Sequence, residues 1–524
     1  MNRKPRRGLI AATLLMLGAA ACTDTTELPT STITDTNYFN DPSSYRAFLA
    51  KIYAGLAVSG QQGPSGNGDI KGVDEGFSQY LRLYWEAQEL PTDEAVIAWG
   101  DIGLPEMNTQ LWASSNTFVV SMYYRVAFQV SLVNEFLRQT SDAKLAERNV
   151  SPTLKAQIQS FRAEARFLRA LSYWHGIDLF GNIPLVTEAD PVGATPPAQS
   201  TRQAVYDYIV SELTAAQADL PAASGSGTYG RATKEAASIL LAEVYLNAEV
   251  YTGTPHYAEA LAAAQAVIAG PFSLDPSFRH VFQADNNTSP EIIFPIIQDG
   301  QTTETWGGGT FLVHASCGGS MDPANYGVDG CWYGLRLKAE AYNRFAADDP
   351  RRAFFWTDGQ TVDVTSISDF SKGIPAPKFE NKTSAGAAGS NATHVDTDFP
   401  LFRLADAYLI YAEAALRGGG GDPAQALAYV NALRERAYGS TIADITGAEL
   451  TLPFLLDERG RELLWEAHRR TDLVRYHLFT GGDYLWQWKG GAPSGTATES
   501  FRDLYPLPAS ELAANPNLVQ NTGY

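Results

Sequence analysis

RAEARFLRALSYWHGIDLFGNIPLVTE, residues 162–188, is the stretch of sequence that decides the fold. In it and in the residues just before it, apolar side chains recur every three or four positions, at Ile158, Phe161, Ala165, Leu168 and Leu179. This spacing places them on one face of a helix. Ser151 and Pro152 suit the N-cap and first turn of that helix, and Gly181 suits its C-cap. The sequence therefore predicts a long helix between Pro152 and Gly181, buried along one side.

Further helices are predicted after this one. Ser200 or Thr201 opens one helix, which Pro221 closes. A helical hairpin starts at Thr233, and a second hairpin covers residues 404–438. Their arms are lined by alanine and joined by short turns, which permits close helix packing and resembles tetratricopeptide repeats. The fold class expected is therefore mainly α, with helix pairs forming a scaffold.

Two regions interrupt the helical pattern. Residues 60–112 and 272–400 are irregular and rich in glycine and aromatic residues. Long irregular segments inside a compact chain usually serve function. We therefore expect a single domain over residues 37–524, with the ligand face built from these two insertions.

The N-terminal residues indicate export. A basic head, an apolar run over residues 9–17 and small residues before Cys22 are typical of a secretory signal peptide, here residues 1–21. The run is shorter than the roughly 20 residues that span a bilayer. Cys22 stands where a lipoprotein would be acylated, and residues 22–36 have the composition of a flexible leash. Ordinary secretion with an incidental Cys22 is the alternative.

Charge and cysteine content narrow the function further. The formal net charge of −19 argues against nucleic acid as a partner, because phosphate binding needs a basic patch. Behind Cys22 only Cys317 and Cys331 remain. An even pair in an exported chain is a candidate disulfide. Two free buried thiols are the alternative.

Five blocks together resemble the SusD/RagB family of outer-membrane nutrient-uptake lipoproteins. They are residues 162–188, 231–247, 402–436, 457–475 and 505–524, the last reading YPLPASELAANPNLVQNTGY. The resemblance implies a SusD-like fold in which four tetratricopeptide-like helix pairs support a loop-built binding face. It also implies a lipid anchor, palmitate included, on Cys22, and a location on the outer face of the outer membrane. The implied partner is a SusC-like TonB-dependent transporter, and the implied cargo is an oligosaccharide or, in some members, a peptide.

Aromatic residues in the irregular regions are the candidate ligand contacts. The residues selected are Trp99, Asp101, Trp306, Tyr326, Trp332 and Tyr333. An indole offers a flat apolar surface that matches the C–H face of a pyranose, while nearby polar groups bond the hydroxyls. His314, Asn325 and Asp329 are candidates for that polar role. The alternative for each tryptophan is that it only fills the scaffold, as expected for Trp174 and Trp465 in helical patterns.

The sequence gives little support for catalysis. Glu458, Glu462 and Glu466 lie four residues apart among arginines, which favours a structural ion network on one helix over the separated carboxylates of a glycosidase. The sequence has no HExxH, GxSxG or phosphate-loop motif. We therefore expect no enzyme activity, no cofactor and no metal. A peptide-capturing protein of the same family, a surface glycoside hydrolase and a pure assembly protein remain as alternatives.

Overall fold

The computed structural model describes residues 35–66, 68–193 and 195–524. The predicted signal peptide, Cys22 and most of the predicted leash lie outside the described residues. The first described helix begins at Asp35, just inside the predicted leash boundary. The chain divides between Ala47 and Phe48 into a short N-terminal unit and a large unit that contains the predicted ligand face.

The structure is mainly α-helical, which confirms the predicted fold class. The helices are α1 Asp35–Tyr38, α2 Ser43–Ala57, α3 Tyr80–Glu89, α4 Leu104–Thr109, α5 Thr117–Gln139, α6 Asp142–Glu147, α7 Pro152–Phe180, α8 Arg202–Ala216, α9 Lys234–Leu246, α10 Ala248–Thr252, α11 Tyr257–Ile268, α12 Gly308–Ala315, α13 Ala339–Arg344, α14 Leu404–Leu416, α15 Pro423–Tyr438, α16 Leu452–Glu462, α17 Arg469–Arg475 and α18 Ala509–Ala514. Within the described residues, none of them is long and apolar enough to span a membrane.

Local capping explains where the main helices start and stop. The Ser151 hydroxyl accepts a hydrogen bond from Leu154 N, which fixes the first turn of α7. Gly181 ends that helix at φ 72°, in a region of backbone space that suits glycine. Thr201 and Thr233 cap α8 and α9 in the same way as Ser151. Each of these ends lies where the sequence predicts it.

Small side chains allow the scaffold helices to pack in pairs. α5 packs on α7 and α7 on α8, while α9 contacts α11, which in turn contacts α14. Alanines at the α9, α11 and α14 contacts are fully buried, among them Ala237, Ala260, Ala264 and Ala412. Because alanine brings helix backbones close, the two predicted hairpins form one continuous helical layer.

A buried ion network, defined here as Arg351, Arg403, Glu291, Glu458, Glu462 and Glu466, ties α16 to the rest of the scaffold. Arg403 lies at its centre, 2.7 Å from Glu291, 2.8 Å from Glu462 and 2.6 Å from Glu466. Arg351 reaches Glu458 at 2.9 Å. The carboxylates therefore face arginines inside the scaffold and are not free for catalysis.

One detail of that prediction is wrong. α16 ends at Glu462, so Glu466 does not share its helix. The chain turns sharply through Trp465 at φ 60° and Ala467 at φ 65° before α17 begins. Trp465 is buried as expected, but in this turn and not in a helix. The turn brings Glu466 back onto Arg403 from a different direction than Glu462.

Two small antiparallel sheets connect the irregular regions with the helices. β1 (Ala95–Ile97) pairs with β3 (Leu335–Leu337), with Ile97 opposite Leu335. β2 (Ile292–Ile296) pairs with β4 (Phe399–Arg403), which leads directly into α14. Every residue of these strands is buried. The first sheet joins the two predicted insertions to each other.

Candidate functional site

Three tryptophans from three distant segments come together on one face of the protein. The ring centre of Trp332 lies 6.3 Å from that of Trp99 and 6.1 Å from that of Trp306. We call these residues, together with the neighbouring Tyr333, the aromatic face. Its members were all selected from sequence, and the structure places the three indoles side by side, while the Tyr333 ring packs on Phe370 at 5.4 Å.

The β1–β3 pair positions two of the indoles. Beyond the last paired residues, Ala98 N donates to Gly334 O at 3.0 Å, which extends the ladder toward the surface. The Trp99 ring nitrogen then donates to Trp332 O at 3.0 Å. A Cβ on Gly334 would lie 2.9 Å from the Trp99 ring. Glycine at this position therefore lets the indole lie flat against the backbone.

The third indole is held by a buried carboxylate. Glu75 accepts hydrogen bonds from Trp306 N at 3.0 Å and from the Thr305 hydroxyl at 2.8 Å. The His394 ring lies 4.8 Å from the Trp306 ring. A side chain on Gly76 would meet Trp306 at 2.8 Å, so glycine is needed for this approach. The segment around Glu75 thus fixes the backbone of Trp306 while leaving its ring at the surface.

His314 supports Trp332 from behind. The two rings are stacked at 4.5 Å, and Trp332 N donates to His314 O at 2.8 Å. Both His314 nitrogens face carbonyl oxygens, Gly330 O at 2.6 Å and Thr393 O at 3.0 Å. Burial lowers the pKa of His314, against the raising effect of these two carbonyls. Because this ring is buried and engaged, the prediction that it contacts ligand is wrong, and it acts as a support.

The outer edge of the face is open to solvent. Trp306 is 38% exposed and Tyr333 is 49% exposed, while Trp99 and Trp332 are half-buried. The structure joins Cys317 to Cys331, with Cα atoms 4.7 Å apart, and Tyr333 N donates to Cys317 O at 3.0 Å. The loop closed by these cysteines therefore ends where the exposed ring begins.

Asp101 and Tyr326 have other surroundings. Asp101 is exposed, and its carbonyl accepts Leu104 N at the start of α4. Tyr326 is half-buried, its carbonyl accepts Asn381 N at 2.8 Å, and burial raises the pKa of its hydroxyl, with Glu380 adding to the effect. No described contact joins either side chain to the three indoles. Both stay as candidate ligand contacts.

Comparisons with known proteins identify the family of this chain. Residues 356–524 match the model of the SusD family, and residues 92–246 match a family described as starch-binding associating with outer membrane. The starch-binding protein SusD of Bacteroides thetaiotaomicron is 35% identical over 528 residues, which cover 91% of each chain.

The chain belongs to the SusD family.

Solved structures share the SusD-family fold. A SusD superfamily protein from B. thetaiotaomicron superposes with a TM-score of 0.71 at 21% identity, over 92% of this chain and 99% of that one. Surface glycan-binding protein A from the same species, in complex with laminarihexaose, gives a TM-score of 0.70 at 20% identity, over 91% and 98%. Both confirm the fold, and the resemblance found from the sequence blocks is confirmed by the relative above.

Sequence reasoning missed a charged residue beneath the aromatic face of this SusD-family chain. Arg82 on α3 is buried, its guanidinium 4.1 Å from the Phe311 ring centre and 5.5 Å from that of Trp99. Its Nε donates to Glu86 at 2.9 Å, while its Nη2 has no hydrogen-bond partner within the described ranges. Burial raises the pKa of Glu86, against Arg82. An arginine inside an aromatic helical stretch was the only signal in the sequence.

A group of side chains of the types that bind metal ions lies elsewhere in the SusD-like scaffold. Oxygen and nitrogen atoms of Glu243, Asp406 and His468 lie within 4.8 Å of one another, all buried. Arg459 already supplies a positive charge there, 3.0 Å from Asp406 and 3.7 Å from Glu243. Because a guanidinium sits between these carboxylates, a metal ion would meet repulsion. The cluster is better explained as part of the scaffold's ion pairing.

Proposed function

We propose that this chain captures an oligosaccharide on its aromatic face, without hydrolysing it, and delivers it to a SusC-like TonB-dependent transporter. The observation that supports capture is the aromatic face itself: indoles from three segments are fixed by backbone hydrogen bonds, with their outer edges open. The 35% identical relative is named a starch-binding protein, and a structural neighbour was solved with laminarihexaose.

Sugar rings suit such a surface. The C–H face of a pyranose packs on an indole, and hydroxyl groups at its rim need polar partners. Asn325 and Asp329 are exposed on the disulfide-closed loop and could supply them. The net charge of −19 favours a neutral glycan over an acidic one at this face.

Binding without turnover is consistent with the state of Glu75, the carboxylate that holds Trp306. Glu75 accepts hydrogen bonds from Thr305 and Trp306, which makes it a positioning group for the indole. Retaining and inverting glycosidases need two carboxyl groups that flank the scissile bond. We therefore assign no catalytic residue to the face.

The first test is binding of residues 35–524 to maltooligosaccharides, laminarioligosaccharides and short peptides, by isothermal titration. Trp332→Ala should weaken binding of one glycan class by about tenfold or more, since buried aromatic anchors dominate such interfaces. Trp488→Ala is the matched control, because Trp488, like Trp332, is half-buried in a loop. The ring nitrogen of Trp488 donates to Val364 O at 2.7 Å, in a part of the chain outside the aromatic face.

Three outcomes would contradict parts of the proposal. Glycan binding that survives Trp332→Ala would move the site away from the aromatic face. Binding of peptides alone would favour a peptide-capturing member of the family. Release of shorter sugars during incubation would favour a glycoside hydrolase.

Anchoring and delivery form the second part of the proposal. A lipid on Cys22 would tether the chain to the outer membrane, facing the exterior, within reach of the transporter. Cys22→Ala should release the protein into the soluble fraction and abolish labelling by a palmitate analogue. Persistent labelling of the variant would refute the anchor, and failure to co-purify a barrel with the wild-type chain would refute the partner.

A further inference from the structure

A polar cleft of about 610 Å³ lies between α6, α7 and the end of α8. Its lining differs from that of the aromatic face, since it contains three cations from α7, Lys155, Arg162 and Arg166. Gln159 lies between them on the same helix. Positions 155, 159, 162 and 166 follow the three- and four-residue spacing that places side chains on one helix face. The cleft therefore has one positively charged wall.

Arg162 is fixed in this wall by the neighbouring helix. Its Nη1 donates to Leu137 O at 2.7 Å and to the Thr140 hydroxyl at 2.9 Å, at the end of α5. No described hydrogen bond or ion pair uses its other nitrogens. Burial lowers the pKa of Arg162, and the charge of Arg166 adds to this, while Glu188 opposes it. The guanidinium is thus oriented by protein, with donors left over.

Arg166 has even fewer partners. Its one described ion pair joins its buried Nε to Glu212 at 3.4 Å, and this Nε makes no hydrogen bond. The Nη atoms of Arg166 and the Nζ of Lys155 make no hydrogen bond among the described residues. Arginines in the ion network behave differently: Arg403 alone contacts three carboxylates. Guanidinium donors that line a cleft without a protein acceptor are available to a ligand.

Two carboxylates also line the cleft. Asp219 is engaged by Gln159, whose amide donates to it at 3.1 Å, and Asp142 lies in the first turn of α6. Glu212, which pairs with Arg166, is a third carboxylate, so the formal charges around the cleft balance. In a chain with a net charge of −19, a cleft without excess negative charge is a local exception, and its unpaired guanidinium donors favour an anionic ligand.

We propose that this cleft binds a small oxyanion, a sulfate, phosphate or carboxylate group either free or attached to a sugar. Arg162 and Arg166 hold two of its oxygens through their planar guanidinium donors, and Lys155 adds a charge at the mouth. The site is separate from glycan capture on the aromatic face and does not rest on it.

The test titrates the full chain with inorganic sulfate, inorganic phosphate, glucose 6-sulfate, glucuronate and glucose at matched ionic strength. We expect the anions, and not glucose, to bind. Arg166→Gln should weaken that binding by about tenfold, because a hydrogen bond to a charged group is lost. If glucose 6-sulfate binds more tightly than inorganic sulfate, the cleft recognises the sulfate group as part of a sugar. If the two bind equally, the free anion is sufficient for recognition.

Arg162→Gln removes a contact at the end of α5 and could unfold the protein, so Arg166→Gln carries the conclusion. Lys71→Gln is the control, since it removes one exposed cation from another segment. Absence of binding by every anion, or equal binding by Arg166→Gln and wild type, would overturn the proposal. The glycan affinity of the same Arg166→Gln protein is measured as well. It should not change, so this result tests the cleft independently of the aromatic face.

Discussion

The scaffold and the aromatic face are stabilised by different forces. In the scaffold, carboxylates and arginines are buried and paired, as around Arg403. On the aromatic face, the Trp99 ring nitrogen donates to the backbone carbonyl of Trp332, and a short ladder holds the two segments together. The scaffold therefore depends on electrostatic pairing that fails if one partner is lost. The face depends on backbone geometry and can lose a ring without unfolding.

A second ion cluster connects the two regions. Asp93 and Glu94 precede β1, and both pair with Arg344, the Glu94 contact being 2.6 Å. Arg469 of α17 reaches Asp93 at 2.7 Å. The scaffold thereby fixes the start of the strand that leads to Trp99. Variants in the scaffold should therefore lower the free energy of unfolding, whereas variants on the aromatic face should mainly weaken glycan binding.

The largest effect is expected from Arg403→Met. Removal of this guanidinium leaves Glu291, Glu462 and Glu466 buried without their shared partner, which should lower the free energy of unfolding by about 3–5 kcal/mol. Urea denaturation measures this change. Lys144→Met, which breaks the exposed pair with Glu147, is the control and should change stability by less than about 1 kcal/mol. Equal effects of the two variants would refute the contrast between buried and exposed pairs.

Loss of the Cys317–Cys331 bridge should have the next largest effect. The cysteines are 14 residues apart, and closing a loop of that size is worth about 2–3 kcal/mol in the unfolded chain. Cys317→Ser should therefore lower the denaturation midpoint and also weaken glycan binding, because the loop ends at Tyr333. Reductant should reproduce the effect in the wild type and do nothing further to the variant. Two free thiols in the oxidised wild-type protein would contradict the bridge.

Acid should weaken the scaffold before it weakens the face. Burial opposes ionisation of Glu462, but three arginines, Arg436 first among them, outweigh it and lower its pKa to about 2. A depressed folded-state pKa adds stability that is present above the ordinary value of 4.5 and is lost as the pH falls toward 2. This residue alone should account for about 1 kcal/mol between pH 7 and pH 4. Denaturation of wild type and Glu462→Gln over this range measures it, and parallel pH profiles would contradict it.

The smallest effect is expected from Trp306→Ala. Its ring is 38% exposed, so its removal should leave the unfolding free energy nearly unchanged while weakening glycan binding by about fivefold. Trp306→Phe should restore part of the affinity, because it keeps an aromatic surface. A loss of stability larger than the loss of binding would place Trp306 in the scaffold and dissolve the distinction between the two regions.

The helices could be predicted because their signals are local. Ser151, Gly181 and Thr233 mark helix ends through hydrogen bonds and backbone preferences within a few residues. The end of α16 at Glu462 could not be predicted. Trp465 and Ala467 adopt positive φ there, although neither is a glycine or an asparagine. There the ion pairs of Glu466 outweigh local preference.

The residues of the aromatic face could be predicted from the sequence, but the contacts that bring these residues together could not. Glycine-rich surroundings identified Trp306, Trp332 and Tyr333 as surface candidates. The meeting of Trp99 with Trp332 depends on the pairing of β1 with β3, each three residues long and buried on both sides, so neither shows the alternation that predicts a strand. Glu75 and Arg82 act through residues more than two hundred positions away, which no local pattern reveals.

The β1–β3 ladder also sets the order in which the protein can mature. Trp99 and Trp332 are separated by 233 positions, whereas α7, α8 and the first hairpin need only nearby sequence. Closing so long a loop is slow compared with forming neighbouring helix contacts. A nascent chain in which residue 337 has not yet emerged can therefore fold α7, α8 and the first hairpin but cannot form the contact between Trp99 and Trp332. The Trp99–Trp332 contact can form only after about two-thirds of the chain is available.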